Sequence, residues 1–350
     1  LELEWRGGAP EGLHDLARRL VDAGARIGPL PKSGRGRLLA RGEPAAPVRA
    51  TTLALPPDAT LEDLIAAATR ACIAQFVGNW PALQETGAVE AIHQARVALR
   101  RLRSMLATVQ KALPAGGFAP FRAEAKRIAS AMGPARDLDS FIALVSDGPA
   151  ESFPDDASFE ALLAAARSRR AAAAADAQAL IAAADTSRFV LDLDAFVERR
   201  GWRNGLDVEA LGRLGEPAAV FAAATLDRLD RRARKRGKKL RELPPEARHE
   251  VRIALKNLRY GADFFAPLFD AERDAKAFAK SLSRLQDVLG AYNDSVVARG
   301  VAGACEAEAG PAASRAAGAV CGWCARGVVD ADETLLDAWK RYRKAPRFWR

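Results

Sequence analysis

Residues 93–103 read HQARVALRRLR, and residues 249–259 read HEVRIALKNLR. In both stretches a basic residue follows the histidine after three, seven and ten positions. Residues at these intervals share one side of an α-helix. The two stretches therefore predict two helices of one design, each with a histidine and three cations along one edge.

A second pair of segments repeats at nearly the same distance. Residues 132–137 read MGPARD, and residues 289–294 read LGAYND. Their offset is 157 residues, against 156 for the histidine stretches, and one extra residue in a connecting loop accounts for the difference. This self-similarity predicts an internal duplication, with one helical half at about 56–200 and the other at about 201–350.

Apolar residues lie beside each basic edge. At about 100° per residue, the histidine and cations of the first copy share an arc of about 80°. Leu99, Leu102 and Leu106 lie next to that arc, and Val251, Leu255 and Leu258 take the same places in the second copy. Each helix is therefore predicted to pack its apolar edge into a bundle. Arg101 lies off the arc and is predicted to serve another surface or to pair internally.

Crowded like charges on these helices indicate a bound anion. Three cations on one edge repel one another, and no acid at i+4 offsets the repulsion. Ion pairs with acids on neighbouring helices are the structural alternative, and two copies with one spacing favour a shared polyanion site instead. The primary candidates for polyanion binding are His93, Arg96, Arg100, Arg103, His249, Arg252, Lys256 and Arg259.

Further candidate cations come from a basic run and from the helices that precede the glycine motifs. Residues 228–260 hold thirteen Lys and Arg against four Asp and Glu, so this run alone equals the net charge of +9. A solvated helix face is the alternative interpretation of such a run. The additional candidates are Lys126, Arg127, Lys280, Arg284, Lys235 and Lys239.

Composition restricts the class of protein. The 350 residues include 49 % hydrophobic and only 7 % aromatic residues, and alanine makes up about a fifth of the chain. This composition excludes wholesale disorder and favours closely packed helices over a β-rich fold. No apolar run is long enough to cross a membrane, and no leader segment is expected. Four cysteines do not form a disulfide framework, so a reducing cytoplasm is the predicted location.

The pattern along the chain predicts helices nearly everywhere after residue 58. Asp58 or Thr60 is predicted to cap the first of them. Apart from a short amphipathic helix at 11–24, residues 1–55 are predicted to be a non-helical extension and linker. The predicted helices after the extension cover residues 60–77, 88–113, 118–132, 136–147, 158–184, 187–199, 217–241, 247–268, 274–289, 294–309, 312–328 and 332–344.

These motifs together resemble the CHAD domain, the conserved-histidine α-helical domain. The two histidine motifs, the segments at 133–137 and 289–294, and the C-terminal Phe348-Trp349 carry the resemblance, which covers residues 56–350. The resemblance implies two four-helix bundles related by a pseudo-two-fold axis around a basic pore or groove. It also implies binding of inorganic polyphosphate without catalysis, metal or cofactor, and a location that includes polyphosphate granules.

Residues 1–55 resemble the C-terminal remnant of a CYTH domain, the triphosphate-tunnel fold that often precedes CHAD. Two other functions stay open at this point. The same arginines suit the phosphate backbone of nucleic acids, although the motifs lack interleaved aromatic residues for base stacking. A hydrolase of triphosphate or polyphosphate, joined to a complete CYTH domain, would need acids to hold a divalent metal. The available acids, which more plausibly cap helices or pair with arginines, are Asp137, Asp139, Asp287 and Asp294.

Overall fold

The computed structural model describes residues 2–7 and 11–350, and within these residues the chain is helical and contains no β-strand. The predicted all-α fold is confirmed. The first six helices are α1 (Glu11–Asp22), α2 (Lys32–Arg41), α3 (Leu61–Gly78), α4 (Trp80–Thr86), α5 (Val89–Ala112) and α6 (Ala119–Ala131). They are followed by α7 (Gly133–Ser146), α8 (Pro149–Ser152), α9 (Ala157–Ala182), α10 (Ala184–Glu198), α11 (Val208–Leu214), α12 (Ala218–Arg236), α13 (Pro245–Phe265), α14 (Glu272–Ala309) and α15 (Ser314–Lys344).

Helix α3 begins at one of the two predicted caps. The Thr60 hydroxyl accepts a hydrogen bond from the Asp63 backbone N–H at 3.2 Å, and the Asp63 carboxylate accepts one from the Thr60 N–H at 3.1 Å. This reciprocal pair is a capping box, which satisfies two backbone donors at the helix N-terminus. The hydrogen bonds from Thr60 hold the pKa of Asp63 below its usual value, so the carboxylate that completes the capping box stays ionised.

Helices α14 and α15 run without the breaks that the sequence predicted near residues 290 and 330. Gly290 and the polar Asn293-Asp294 that follow it suggest a helix end, because glycine is a poor helix former. The two long helices pack against each other, and α14 buries Ala298, Ala302 and Cys305 beside Ala316 and Val320 of α15. Tertiary packing of this kind outweighs a single unfavourable residue.

The prediction of a non-helical N-terminal extension is wrong. Helix α1 confirms the short amphipathic helix, but α2 lies in a stretch that is predicted to be linker because it is rich in Gly, Pro and Arg. The Lys32 backbone N–H donates to the Glu2 carboxylate at 2.6 Å, and Gly42 ends the helix in the left-handed conformation with φ of 61°. A charged acceptor at one end and an αL glycine at the other stabilise a helix of low propensity.

The chain divides into two compact units, and the division does not follow chain order. The first unit contains the described residues up to Gly133 together with Ala174–Ala218. The second unit contains Pro134–Ala173 together with Ala219–Arg350. The helical hairpin of α7 and the first part of α9 therefore belongs with α12 to α15 and not with its neighbours in the chain, α6 and α10. The predicted halves at about 56–200 and 201–350, and their pseudo-two-fold relation, stay predictions.

The hairpin supplies a large part of the core of the second unit. Phe141, Val145 and Phe159 of the hairpin are buried in one cluster with alanines and cysteines of α14 and α15. Small residues on the long helices let the backbones approach, and the aromatic rings fill the remaining space.

Trp339 of α15 packs on the end of α12 at a position where only glycine fits. An added Cβ at Gly237 would lie 2.3 Å from the nearest indole carbon. We expect Gly237→Ala to destabilise the protein by about 1–3 kcal/mol, because the buried ring has to shift. Chemical denaturation of the variant measures this loss.

A matched control is Gly300→Ala on α14, where nothing lies within 4 Å of the added Cβ. There alanine is expected to be neutral or to stabilise by about 0.5–1 kcal/mol through its higher helix propensity. Equal stability of the two variants would show that Trp339 does not need the glycine.

Candidate anion-binding site

Helix α5 has the two faces that the sequence predicted. Leu99, Leu102 and Leu106 are at most 2 % exposed and form the core side. His93, Arg96, Arg100 and Arg103 are half-buried, so each keeps part of its side chain at the surface. The four residues are referred to below as the α5 stripe. The structure therefore brings the four primary candidates of the first copy to one helix edge in the first unit.

Arg96 of the α5 stripe is anchored on the end of α6. Its Nη1 donates to the Ala129 carbonyl oxygen at 2.9 Å, and this carbonyl lies in the last turn of α6. A cation there satisfies a carbonyl group that the helix end leaves unpaired. An added Cβ at Gly133 would lie 3.0 Å from the same Nη1. The glycine of the Gly-Pro-x-Arg-Asp segment therefore makes room for Arg96, a connection that the separate motifs did not reveal.

Arg101 is buried and takes the second of its two predicted roles, internal pairing. It is 5 % exposed and donates to the Gln75 side-chain oxygen at 3.0 Å. Gln75 in turn donates to Gln94, and Gln94 donates to Glu90, each at 2.9 Å. The chain of hydrogen bonds fixes α5 against α3 within the first unit. It leaves Arg101 out of any surface that binds a ligand.

Helix α13 of the second unit has the same design. Val251, Leu255 and Leu258 are fully buried, as predicted. Arg252, Lys256 and Arg259 are half-buried, and His249 near the start of the helix is exposed. These four residues form the α13 stripe. The structure thus brings the four primary candidates of the second copy to one edge of α13.

Gln286 of α14 forms hydrogen bonds with α13 beside the α13 stripe. Gln286 is buried, donates to the Leu255 carbonyl oxygen at 3.0 Å, and accepts from Arg259 Nη1 at 3.4 Å. Arg259 also lies 4.0 Å from a carboxylate oxygen of Asp263, four residues later on the same helix, so the expectation that no acid at i+4 offsets the stripe charges is wrong for this cation. Gln286 positions α13, and its role could not be predicted from the sequence, since a single glutamine on a long helix carries no signal of its own.

The additional candidates on α6 and α14 do not all join the stripes. Lys126 and Arg127 are exposed, and Arg127 forms an ion pair with Glu124 at 2.6 Å. Hydrogen bonds from Arg127 to Glu124 raise the pKa of the arginine. Lys280 and Arg284 are exposed on α14, roughly 120–160° around that helix from Gln286. The structure does not bring these two to the α13 stripe.

The basic run includes cations that serve the core rather than a ligand. Asp230 of α12 is 1 % exposed and lies 2.8 Å from Nε of Arg234 and 2.8 Å from Nη2 of Arg347. The Tyr342 hydroxyl donates to the same carboxylate at 2.6 Å. Burial, together with the neighbouring Asp230, raises the pKa of Tyr342, so the phenol remains a neutral donor. Part of the basic run at 228–260 therefore belongs to a buried ionic cluster, which the count of charges alone does not indicate.

The C-terminal residues are packed. Phe348 and Trp349 are at most 5 % exposed, and the Trp349 ring meets the Phe278 ring edge-on with centroids 5.0 Å apart. The Trp349 indole N–H donates to the Asp227 carboxylate at 2.9 Å. The hydrogen bond to Asp227 holds the C-terminal residues on α12 within the second unit.

Lys235 and Lys239, the last two candidates, are exposed at and just beyond the end of α12. Lys239 lies 3.4 Å from a carboxylate oxygen of Glu242. The core side that the sequence predicted for this segment is confirmed, since Leu226, Leu229, Ala233 and Leu240 are buried.

The described residues show neither a metal site nor a membrane-spanning helix. No group of three or more His, Cys, Asp or Glu residues in this part of the chain is arranged to hold a metal ion. Asp139, one of the acids considered above, forms an ion pair with Arg170 at 2.9 Å. Nor does any helix in the described part combine the length and apolarity needed to cross a bilayer.

Comparisons with known proteins agree with these observations. Residues 67–303 match the family model of the CHAD domain. The chain is similar to the crystal structure of the CHAD domain from the plant Ricinus communis, with 26 % identity, a TM-score of 0.73, and coverage of 86 % of this chain and 99 % of that one. PptA from Streptomyces chartreusis shares the fold, with 17 % identity, a TM-score of 0.57, and coverage of 81 % and 100 %. No curated protein matches the chain.

Proposed function

The chain belongs to the CHAD domain family, and on that premise we propose that it binds inorganic polyphosphate through the α5 and α13 stripes without chemically changing it. The observation that supports the proposal best is the repetition of one arrangement. In each unit a histidine and three cations lie along a helix edge next to a buried aliphatic edge. Two copies of this arrangement are more than a chance distribution of surface charge would give.

Recognition of a polyphosphate chain relies on charge and on donors to oxygen, because the chain offers neither bases nor apolar groups. Arginine suits this task, since its planar guanidinium gives two parallel hydrogen bonds to one phosphate and stays charged. The anchoring of Arg96 on α6 and of α13 on Gln286 holds parts of the stripes in place before the ligand arrives. Such preorganisation lowers the entropy cost of binding.

Each stripe histidine lies in the first turns of its helix, five residues or fewer after the helix begins. An anion gains from the partial positive charge at that end. The imidazole N–H can also donate a hydrogen bond to a phosphate oxygen. We assign His93 and His249 to the ends of the bound segments for this reason.

Nucleic acid is the second candidate ligand, and the residues favour it less. Helix α5 contains no Phe, Trp or Tyr along its 24 residues. In α13, Phe264 and Phe265 are buried, which leaves Tyr260 beside the stripe. Proteins that hold single strands stack bases on exposed aromatic rings, each contributing about 1–3 kcal/mol. The stripes instead suit a ligand made of phosphate alone.

The proposal is tested by binding and competition with the unmodified chain. We expect it to bind a long polyphosphate, and we expect the affinity to fall by about two orders of magnitude between 50 mM and 200 mM salt if about four phosphates are neutralised. Uridine homopolymer RNA at equal phosphate concentration should displace little of the bound polyphosphate. Equal displacement by RNA would replace the proposal with general binding of phosphate backbones.

The absence of catalysis is part of the proposal and has its own measurement. Incubation of polyphosphate with the protein and Mg²⁺ should release no orthophosphate above the level without protein. Release of orthophosphate would assign a hydrolase instead. The family match begins at residue 67, so the CYTH remnant at 1–55 stays a prediction. The basic pore or groove and the location at cytoplasmic polyphosphate granules also stay predictions.

A further inference from the structure

Helix α12 carries a second row of cations that does not belong to either stripe. Four basic residues follow one another at intervals that place them on one side of the helix, within an arc of about 100°. All four are exposed. The row, called here the α12 row, consists of Arg228, Arg231, Arg232 and Lys235.

The acids of the same helix do not neutralise the α12 row. Asp230 is buried among Arg234, Arg347 and Tyr342, and Asp227 accepts from Trp349 and Arg350. Within the described part of the chain, none of the four row residues forms an ion pair or a side-chain hydrogen bond. Helix α12 therefore uses its carboxylates inside the unit and leaves four positive charges without a counter-charge, although partial burial lowers the pKa of the Arg228 guanidinium.

Helix packing separates the α12 row from the α13 stripe. An added Cβ at Gly261 would lie 3.1 Å from Leu229, and Arg236 reaches Glu250 at 2.7 Å, so these positions mark the side of α13 that faces α12. They lie near 100–120° on α13, counted from His249, whereas the stripe occupies about 280–360°. On α12 itself the row lies roughly 150° from the buried leucines. The two sets of cations thus face different directions.

The α12 row has no charged counterpart in the first copy of the duplication. At the offset of 156 residues that relates the two histidine motifs, which α12 precedes, its four positions correspond to uncharged residues in and just after α3, which are Cys72, Gln75, Phe76 and Asn79. Neighbouring like charges at i+3 and i+4 each cost a helix about 0.2–0.5 kcal/mol. A feature that is present in one copy only, and that costs stability, indicates a function of its own.

We propose that the α12 row is a second binding surface for a linear phosphate chain, and this inference rests on the proposed function. Four cations span about 10 Å of helix, with Lys238 exposed just beyond them. No aromatic side chain lies among the row residues, which again favours phosphate without bases. A long chain that is held by a stripe reaches the row as a tethered ligand, so the second contact raises affinity without a second free ligand.

The inference predicts a dependence on chain length. Reversal of two row charges, Arg231→Glu with Lys235→Glu, should weaken binding of a polyphosphate of several hundred units about tenfold. The same variant should bind inorganic tripolyphosphate within twofold of the unmodified protein, because a short ligand occupies one stripe and does not reach the row. The new glutamates lie three residues from Arg228 and Arg232, so the variant helix is expected to keep its stability.

A control with the same change of charge is Arg19→Glu with Arg167→Glu. Both arginines are exposed, and neither forms an ion pair within the described residues. If the control weakens long-chain binding as much as the row variant does, net charge explains the effect and the row is not a site. Equal loss for uridine homopolymer RNA and polyphosphate would overturn the assignment to a base-free chain.

Binding by row variants and by stripe variants distinguishes this inference from the proposed function. If the row variant binds the long chain normally while a stripe variant loses it, the second surface is refuted and the proposed function stands. Should the row variant lose the long chain while a stripe variant keeps it, the stripes are the wrong site and the row alone binds. Absence of polyphosphate binding by the unmodified protein would refute both proposals.

Discussion

Charge reversal on both stripes, Arg100→Glu with Lys256→Glu, is expected to reduce affinity for long polyphosphate at least about 100-fold at moderate salt. Each residue lies near the middle of its stripe and is half-buried. A hydrogen bond to a charged group contributes about 1.5–3 kcal/mol. Loss of two such bonds amounts to about 3 kcal/mol or more, which is about a hundredfold in the dissociation constant. Fluorescence titration with labelled polyphosphate measures the change.

The neutral pair Arg100→Gln with Lys256→Gln separates lost attraction from added repulsion. Each glutamine keeps a neutral hydrogen bond of about 0.5–1.5 kcal/mol, so we expect this variant to lose only about ten- to thirtyfold in affinity. Circular dichroism should show the helical content of the unmodified chain. The control is again Arg19→Glu with Arg167→Glu, which has the same net charge as the reversed variant. Unchanged affinity of the reversed variant would show that the stripes do not hold the ligand.

Asp230→Asn should destabilise the second unit by about 3–5 kcal/mol. The carboxylate is buried between two guanidinium groups and a phenol, so its neutralisation leaves Arg234 and Arg347 without a counter-charge. Breaking a buried ion pair at one partner costs this much, because the remaining charge stays desolvated. Urea denaturation followed by circular dichroism measures the free energy of unfolding.

Asp287→Asn on α14 is the matched control, because this acid is exposed. A surface change of this type is expected to stay within about 0.5 kcal/mol. Tyr342→Phe removes one hydrogen bond and keeps the ring, so it should fall between the two. A loss below 1 kcal/mol for Asp230→Asn would mean that solvent reaches the two arginines well enough to replace the carboxylate.

Helix positions and the two stripes could be predicted from the sequence because they depend on local periodicity. The buried leucines of α5 and α13 and the basic edges beside them repeat every three or four residues, and this spacing survives folding. The fate of Arg101 could be narrowed to two possibilities but not decided, because its partner Gln75 lies on another helix. Partners that are far apart in sequence leave no periodic signal.

The same limit explains the other differences. The acids that neutralise part of the basic run were visible in the sequence, but Asp230 meets Arg347 only after the C-terminal residues fold back onto α12. Helix α2 depends on Glu2, thirty residues before it. The α12 row, in contrast, was present in the spacing, and only the burial of Asp230 and the packing of α13 show which of the thirteen cations face solvent.

The placement of the hairpin 134–173 in the second unit has a consequence during synthesis on the ribosome. Phe141, Val145 and Phe159 emerge well before the α14 and α15 residues that cover them, the last of which is Cys324. At about 5–20 residues per second, the interval is roughly 8–30 seconds. For that time the nascent chain exposes an apolar surface that only its own C-terminal third can bury.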